Sequence, residues 1–472
     1  MISREWISRE IWLVSFGALA IAIVIGSSTA MAPIMIPIVL CVIFFPILFM
    51  LPVEKFLILV ALFIFIDRSF LSVGGSYVRI YQVLFLVMSL KFVLEMVFQQ
   101  RKIYKTPLFL IMNLWVVSFF FSYPYVINYV DFWTVVIGQL FLNMLFFLVV
   151  QITFDKGENF FHQVLKFSIL SGAIVAVVGL LQWTGFFFGI EIGVSHYEEI
   201  GIPRPASFAH EPDWYGLFSA YSALWFLVMY LLKDTSLFSM KFIRLAMTVC
   251  FLGVFLSMAR ASILSLAIAG VFLFFVTKSL KLLKMTLVTI MIFLVMLFGL
   301  FIVDSEIGMS IYERLNPATS LETDSGAADS RVAAIQMMLD HIPLHPIVGN
   351  GSGGMATLSQ MQEMRDKYIY GGELNAGKGN ANIFLTLMFD TGIIGTSLFL
   401  ILIFQIIFMI KKTFSKASYV SLGFASTSLL LIIDFNFNNG FRMGFVWVHF
   451  ALIVSYYMLY KNKSIGGIGN ED

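Results

Sequence analysis

The chain has 472 residues, of which 60% are hydrophobic and only 12% are charged, and its formal net charge is +2. Soluble globular proteins carry about twice that share of charged residues, so this composition excludes a soluble enzyme. It also excludes a disordered chain, since so much apolar surface would not stay solvated. The small net charge gives no indication of a nucleic-acid partner. Cys41 and Cys250 both lie in apolar stretches, which argues against a disulfide framework or a cysteine metal site.

Apolar segments of membrane-spanning length follow one another along most of the chain. A spanning helix needs about 20 apolar residues. The pattern predicts an all-α polytopic membrane protein with about 14 (12–14) transmembrane helices and one large extracytoplasmic loop that contains amphipathic helices. The predicted segments are 11–30, 32–52, 56–72, 78–98, 108–124, 132–153, 162–185, 214–232, 242–258, 262–277, 285–304, 383–410, 417–435 and 443–460.

The distribution of lysine and arginine predicts the orientation of these helices. With a cytoplasmic N-terminus, cytoplasmic loops and helix ends hold 18 of the 30 basic residues, and the short outside loops hold five. This bias follows the positive-inside rule. Arg4, Arg9 and the apolar run before Ala30-Met31-Ala32 would also suit a cleaved signal peptide. The length of the run favours an uncleaved first helix, and the remaining topology is the same in both cases.

Three regions follow from this arrangement. Residues 1–304 are predicted to form helices 1–11, residues 305–382 a large periplasmic loop, and residues 383–472 helices 12–14 with a short cytoplasmic tail. Inside the loop, Asp329 to His341 has apolar residues at helical spacing, which predicts an amphipathic helix. A second outside loop, at about 186–213, carries further polar residues. Water-facing chemistry is expected in these two loops and at the adjoining helix ends.

Several sequence motifs of catalysis and transport are missing. The chain has no Gly-x-x-x-x-Gly-Lys-Ser/Thr loop and no His-Glu-x-x-His motif. No cluster of carboxylates or histidines has metal-ligand spacing. We therefore expect no cofactor, no metal and no ATP-driven transport.

Arginines on the predicted outer side are the strongest candidates for a functional site, since a guanidinium binds phosphate through two parallel hydrogen bonds. Arg260 lies in Ser257-Met-Ala-Arg-Ala-Ser262, where the alternative is an interfacial arginine that reaches to lipid headgroups. Arg331 begins the predicted loop helix and could simply be solvated. Arg204, between two prolines, and Arg314 are candidates for substrate binding, although Arg314 could equally form an ordinary salt bridge.

Histidines and a glycine-rich stretch offer weaker candidates. His210, His345 and Glu211 lie in outside loops, and a histidine can act as a general base at neutral pH. The alternative for a single loop histidine is a solvated or packing residue. The stretch Gly349-Asn-Gly-Ser-Gly-Gly354 could form an anion-binding nest of backbone N–H groups, but it also suits a flexible turn.

In order along the chain, four motifs resemble the O-antigen ligase / O-antigen polymerase (Wzy-type) family of bacterial inner membranes. These motifs are Arg204-Pro-Ala-Ser-Phe-Ala-His-Glu-Pro212, Ser257-Met-Ala-Arg-Ala-Ser262, Ser330-Arg331 with Asp340-His-Ile-Pro-Leu-His-Pro-Ile-Val-Gly-Asn-Gly-Ser-Gly353, and Asn382-Ile-Phe-Leu385 with Asp390-Thr-Gly-Ile-Ile-Gly395. Ligases of this family typically have a histidine before the asparagine of the fourth motif. Alanine 381 stands there in this sequence, which favours a polymerase and leaves the ligase as an alternative.

The resemblance implies a metal-independent glycosyl transfer on the periplasmic side of the bacterial cytoplasmic (inner) membrane. The donor would be an oligosaccharide on undecaprenyl diphosphate, and the acceptor a sugar hydroxyl of another repeat unit or of lipid A core. Membrane lipid and a chain-length regulator protein are the other expected partners, with no nucleic acid. Arg260, Arg331, Glu211 and His210 are the predicted catalytic residues. The predicted substrate-binding residues are Arg204, Arg314, His345, Lys378 and Asn382. A lipid-linked glycan flippase or transporter is the alternative from another class.

Overall fold

A computed structural model describes residues 51–68, 71–73, 76–98, 101–190, 195–197, 203–281, 291, 295, 334–358, 361, 382–438 and 440–466. The chain divides into two compact units, Met1–Phe56 with Leu86–Arg101 and Leu57–Phe85 with Lys102–Asp472. Within the first unit, Arg101 forms ion pairs with Glu54 and Glu95, at 2.8 and 2.9 Å.

Helices dominate the described residues, in agreement with the predicted fold class. They are α1 Val53–Phe63, α2 Ile80–Val97, α3 Phe109–Phe121, α4 Tyr129–Lys156, α5 Glu158–Phe187, α6 Pro212–Leu232, α7 Met240–Leu256, α8 Arg260–Thr277, α9 Gly354–Leu358, α10 Ile383–Thr413, α11 Tyr419–Asp434 and α12 Gly444–Gly466. Residues 334–341, which we call the loop helix, are helical as well. They form the described part of the amphipathic helix predicted over Asp329 to His341.

In the described part of the chain, six helices are long and apolar enough to cross a membrane. These six are α2, α4, α5, α6, α8 and α10. The predicted segments 11–30 and 32–52 lie outside the described residues almost entirely, as does 285–304, so the count of 14 spans stays a prediction.

Two short antiparallel strand pairs, which the sequence did not predict, lie between the helices. Strand β1, Leu71–Val73, pairs with β2, Ser76–Val78, and β3, Ser195–Tyr197, pairs with β4, Pro203–Pro205. The first pair also corrects the predicted segment 56–72, because α1 already ends at Phe63. Asp67, which forms an ion pair with Arg79, follows soon after that helix end, where a continuous apolar helix was expected.

The second unit is built around α6, which packs against α5, α7, α8 and α11. Small residues bring these helices close together, as is common where membrane helices pack without water. A Cβ added at Gly172 of α5 would lie 2.0 Å from Ser222 Oγ of α6. One added at Gly423 of α11 would lie 2.1 Å from the Trp225 ring of α6. α6 is therefore the fixed centre against which the functional residues are positioned.

Candidate active site

The first two family-like motifs meet at the start of α6. Arg204, in β4, donates from Nε to the carbonyl oxygen of Ser257 at 3.1 Å and from Nη2 to Asp213 Oδ1 at 3.1 Å. The Arg204 side chain is 10% exposed, so this ion pair is largely desolvated. Desolvated, charge-assisted hydrogen bonds hold their partners in fixed geometry. The pair therefore ties the segment before α6 to the turn between α7 and α8.

A glycine allows that turn to approach α6. A Cβ at Gly216 would lie 2.5 Å from Ser257 Oγ and 3.0 Å from Ser262 Oγ. Ser262 Oγ also donates to the carbonyl oxygen of Asp213 at 3.3 Å. The motif from 257 to 262 is thus held to α6 on both sides of its arginine.

Arg260 is the first residue of α8 and its side chain is exposed. The N-terminus of a helix carries partial positive charge, so a cation there gains nothing from the helix dipole. An anion bound at this place would be attracted by both the dipole and the guanidinium. The position of Arg260 therefore gains no stability from the helix dipole and is compatible with an anionic ligand.

The third and fourth motifs interlock through their backbones. Asn350 N donates to the Phe389 carbonyl at 2.7 Å, and Ile393 N donates to the Pro346 carbonyl at 2.9 Å. Gly349 lies so close to α10 that an added Cβ would be 2.5 Å from the backbone of Asp390. The glycine-rich stretch is consequently a turn clamped onto α10.

Apolar packing holds the loop helix at the same place. Ala334, Met337 and Met338 form a buried cluster with Met355, Leu358 and Phe389. The His341 carbonyl also accepts a hydrogen bond from Asn350 Nδ2 at 3.0 Å. The described end of the long loop is therefore fixed to α10.

The remaining predicted site residues have varied environments. His210 is exposed and Glu211 half-buried, and both precede α6 directly. His345 stacks on Tyr125, with ring centroids 3.7 Å apart. Asn382 caps α10, since its side-chain oxygen accepts from the N–H groups of residues 384 and 385 at 3.0 Å. Arg331, Arg314 and Lys378 lie outside the described residues, as does Ala381.

Two buried carboxylates near these motifs were not among the predicted site residues. Asp390, on α10, pairs with Arg442 Nη2 at 3.1 Å. Asp434, at the end of α11, accepts from Asn438 Nδ2 at 3.0 Å, while its Oδ2 has no hydrogen-bond partner among the described residues. A carboxylate within an apolar segment is the sequence signal that would have identified both.

The connection between α11 and α12 joins the two pairs of motifs. Ile383 N, at the start of α10, donates to the Phe435 carbonyl at 3.0 Å. On the other side, a Cβ at Gly440 would lie 3.3 Å from the Trp214 ring of α6. Contacts therefore run from Arg204 to the loop helix. The described parts of the four motifs lie at the same end of the helices.

The chemistry available at this site is electrostatic and hydrogen-bonding. Its guanidinium groups can bind an anion, whereas its carboxylates and a histidine can accept a proton. Among the residues that the structure describes, no three metal-binding side chains of the His, Cys, Asp or Glu type lie together.

Apolar helices that carry arginine–carboxylate pairs and a clamped polar loop at one end define a multi-pass membrane protein with a polar site. Residues 245–400, about a third of the chain, match the family model described as O-antigen ligase. The matched residues include the second, third and fourth motifs, so the resemblance of these motifs is confirmed. No curated protein matches the chain.

Proposed function

We propose that this chain is a polymerase of lipid-linked polysaccharide repeat units, of the kind that make O-antigen or exopolysaccharide. It transfers a glycan from undecaprenyl diphosphate to a sugar hydroxyl on the periplasmic side of the bacterial inner membrane. The observation that supports this proposal is that the described parts of the four motifs lie at one end of the helices, with Arg260 exposed there. Such a site can receive a substrate whose tail lies in lipid and whose head lies in water.

The bond that breaks joins the anomeric carbon of the donor sugar to a diphosphate oxygen. The acceptor hydroxyl oxygen forms the new bond to that carbon, and its proton passes to a base. Negative charge develops on the departing diphosphate. Arg260 and Arg331 stabilise this charge, because donors fixed in place before the reaction need no reorganisation when the charge appears. No metal is required for this step.

His210 and Glu211 are the proposed bases. Both stand directly before α6, next to the ion pair of Arg204 and Asp213. His345 is the third candidate, and its stacking on Tyr125 would restrict the direction in which its ring can accept a proton. Arg204, Arg314, His345, Lys378 and Asn382 are the proposed substrate-binding residues. A chain-length regulator protein and membrane lipid are the proposed partners.

A ligase that transfers the glycan to lipid A core is the second candidate, favoured by the description of the matched family. Alanine at position 381 supports the polymerase. The glycan length distribution of a strain lacking this chain separates the two. Loss of long chains with single repeats retained supports a polymerase. Loss of all repeats on lipid A, with long lipid-linked chains retained, supports a ligase.

The direct test of the site replaces its two catalytic arginines. Arg260→Ala and Arg331→Ala are each expected to lower the transfer rate about 10²- to 10³-fold, the usual effect of losing one electrostatic donor. Arg260→Lys and Arg331→Lys recover only part of the rate, since an ammonium lacks the planar fork. Arg365→Ala, in the same loop as Arg331, is the control and retains the normal rate. Normal glycan length in both alanine variants at normal expression would refute this assignment.

A further inference from the structure

The arginine just before α12 is a candidate for substrate binding that the motifs do not include. Arg442 lies in the short helical turn Gly440–Arg442, next to the site. Its side chain is 32% exposed, whereas that of its partner Asp390 is 2% exposed. One side of the guanidinium therefore faces a buried carboxylate, while the residue as a whole remains accessible.

The hydrogen bonds of this guanidinium are incomplete. A guanidinium has five N–H donors. Among the described residues, Asp390 Oδ2 is the one hydrogen-bond acceptor of Arg442, and the buried Nε has none. The ring of Phe441 lies 5.4 Å from the guanidinium carbon and restricts its orientation. Arg442 is thus held in place, and its remaining Nη donors have no acceptor among the described residues.

Asp390 fixes the position of this guanidinium. Its side chain is 2% exposed and lies 3.1 Å from Arg442 Nη2. A carboxylate buried in this way holds the guanidinium in one place. The arrangement resembles a preorganised anion site, in which the protein fixes the cation before the ligand arrives.

We propose that Arg442, oriented by Asp390, binds the diphosphate of the lipid-linked donor as a further arginine of the site. The inference rests on the proposed function, since it takes the donor from there. An anionic lipid headgroup presents similar phosphate chemistry, so the test has to distinguish the two sources.

Arg79 and Asp67 provide a matched control for Arg442 and Asp390. Their side chains are 29% and 7% exposed, which is close to the values of the proposed pair. Arg79 Nε, however, also donates to the Asp67 carbonyl at 3.0 Å, so its equivalent nitrogen is satisfied. A purely structural ion pair should behave alike at both places, and a ligand-binding pair should not.

The experiment measures binding to the full-length protein in nanodiscs by native mass spectrometry. The probes are undecaprenyl diphosphate, phosphatidylglycerol and inorganic diphosphate. Arg442→Gln is expected to weaken undecaprenyl diphosphate binding about 10- to 100-fold, the effect of losing a charge-assisted hydrogen bond. The affinity for inorganic diphosphate falls in parallel, and the affinity for phosphatidylglycerol is unchanged. Arg442→Lys, which keeps the charge beside Asp390, loses less affinity for undecaprenyl diphosphate. Arg79→Gln binds undecaprenyl diphosphate as tightly as the unmodified protein does.

Other results would overturn the proposal. Unchanged undecaprenyl diphosphate binding in Arg442→Gln, or an equal loss in Arg79→Gln, would make Arg442 a structural ion pair. An equal loss of phosphatidylglycerol would make it a general headgroup contact. If the unmodified protein bound no undecaprenyl diphosphate, the donor in the proposed function would fail along with this inference.

Discussion

Gly349→Ala is expected to release the glycine turn of the long loop from α10. Gly349 has φ +86°, a left-handed conformation that costs a residue with a Cβ roughly 1–2 kcal/mol. The added Cβ would also lie 2.5 Å from backbone atoms of Asp390 and Thr391, which cannot rotate away. Such overpacking costs about 1–3 kcal/mol. Together the two terms give a loss of roughly 2–5 kcal/mol in the free energy that holds the turn closed.

A buried serine in the same turn reports this opening. Ser352 is 0% exposed, so a cysteine placed there reacts with a thiol reagent only when the turn opens. The assay uses Ser352→Cys with Cys41 replaced by serine, while Cys250 remains because it is buried. A loss of 2 kcal/mol or more raises the open population, and with it the labelling rate, at least about 30-fold.

Substitutions at two other glycines are controls that distinguish left-handed backbone strain from steric collision as the cause of the effect at Gly349. Gly189 has φ +66° but open space around it, so Gly189→Ala tests left-handed strain at a different place and leaves the labelling rate unchanged. Gly138, within α4, also has open space, and Gly138→Ala is neutral or stabilising by up to about 1 kcal/mol. If Gly349→Ala were labelled no faster than Gly138→Ala, the clamped turn described above would be wrong.

Three further predictions concern the fold and the reaction. Leu344 is 62% exposed and Leu280 is 68% exposed, so a cysteine at either place can react with a thiol reagent. Leu344→Cys should be labelled by a reagent added outside the cell, and Leu280→Cys should be protected. The reverse pattern would invert the topology. Arg204→Ala should lower the free energy of unfolding by roughly 2–4 kcal/mol, since it leaves Asp213 without its buried partner. In thermal unfolding, the double variant with Asp213→Asn should recover part of this loss. Full additivity of the two substitutions would show that the pair does not interact. Transfer by the purified enzyme should continue with chelator present, and a complete loss that metal reverses would contradict the metal-free mechanism.

The helical elements of the second unit were largely predictable because they depend on local composition. Apolar runs predicted α6, α8 and α10 to within a few residues, and the loop helix was predicted from its spacing. The strand pairs were not predicted. Each strand is only three residues long, which is too short for an alternation of apolar and polar residues to be visible in an apolar sequence.

The sequence alone also identified the four motifs and made Arg260 a candidate, and the structure places this arginine, exposed, at the first position of α8. It could not determine the partners of these residues. Asp390 pairs with Arg442, 52 positions away, and Arg204 bonds to Ser257, 53 positions away. Such pairs depend on how helices pack, and close packing at glycines such as Gly216 and Gly349 sets those distances. Local sequence therefore determined which segments form helices, whereas tertiary contacts decided which charges meet, because an ion pair depends on distance in space and not along the chain.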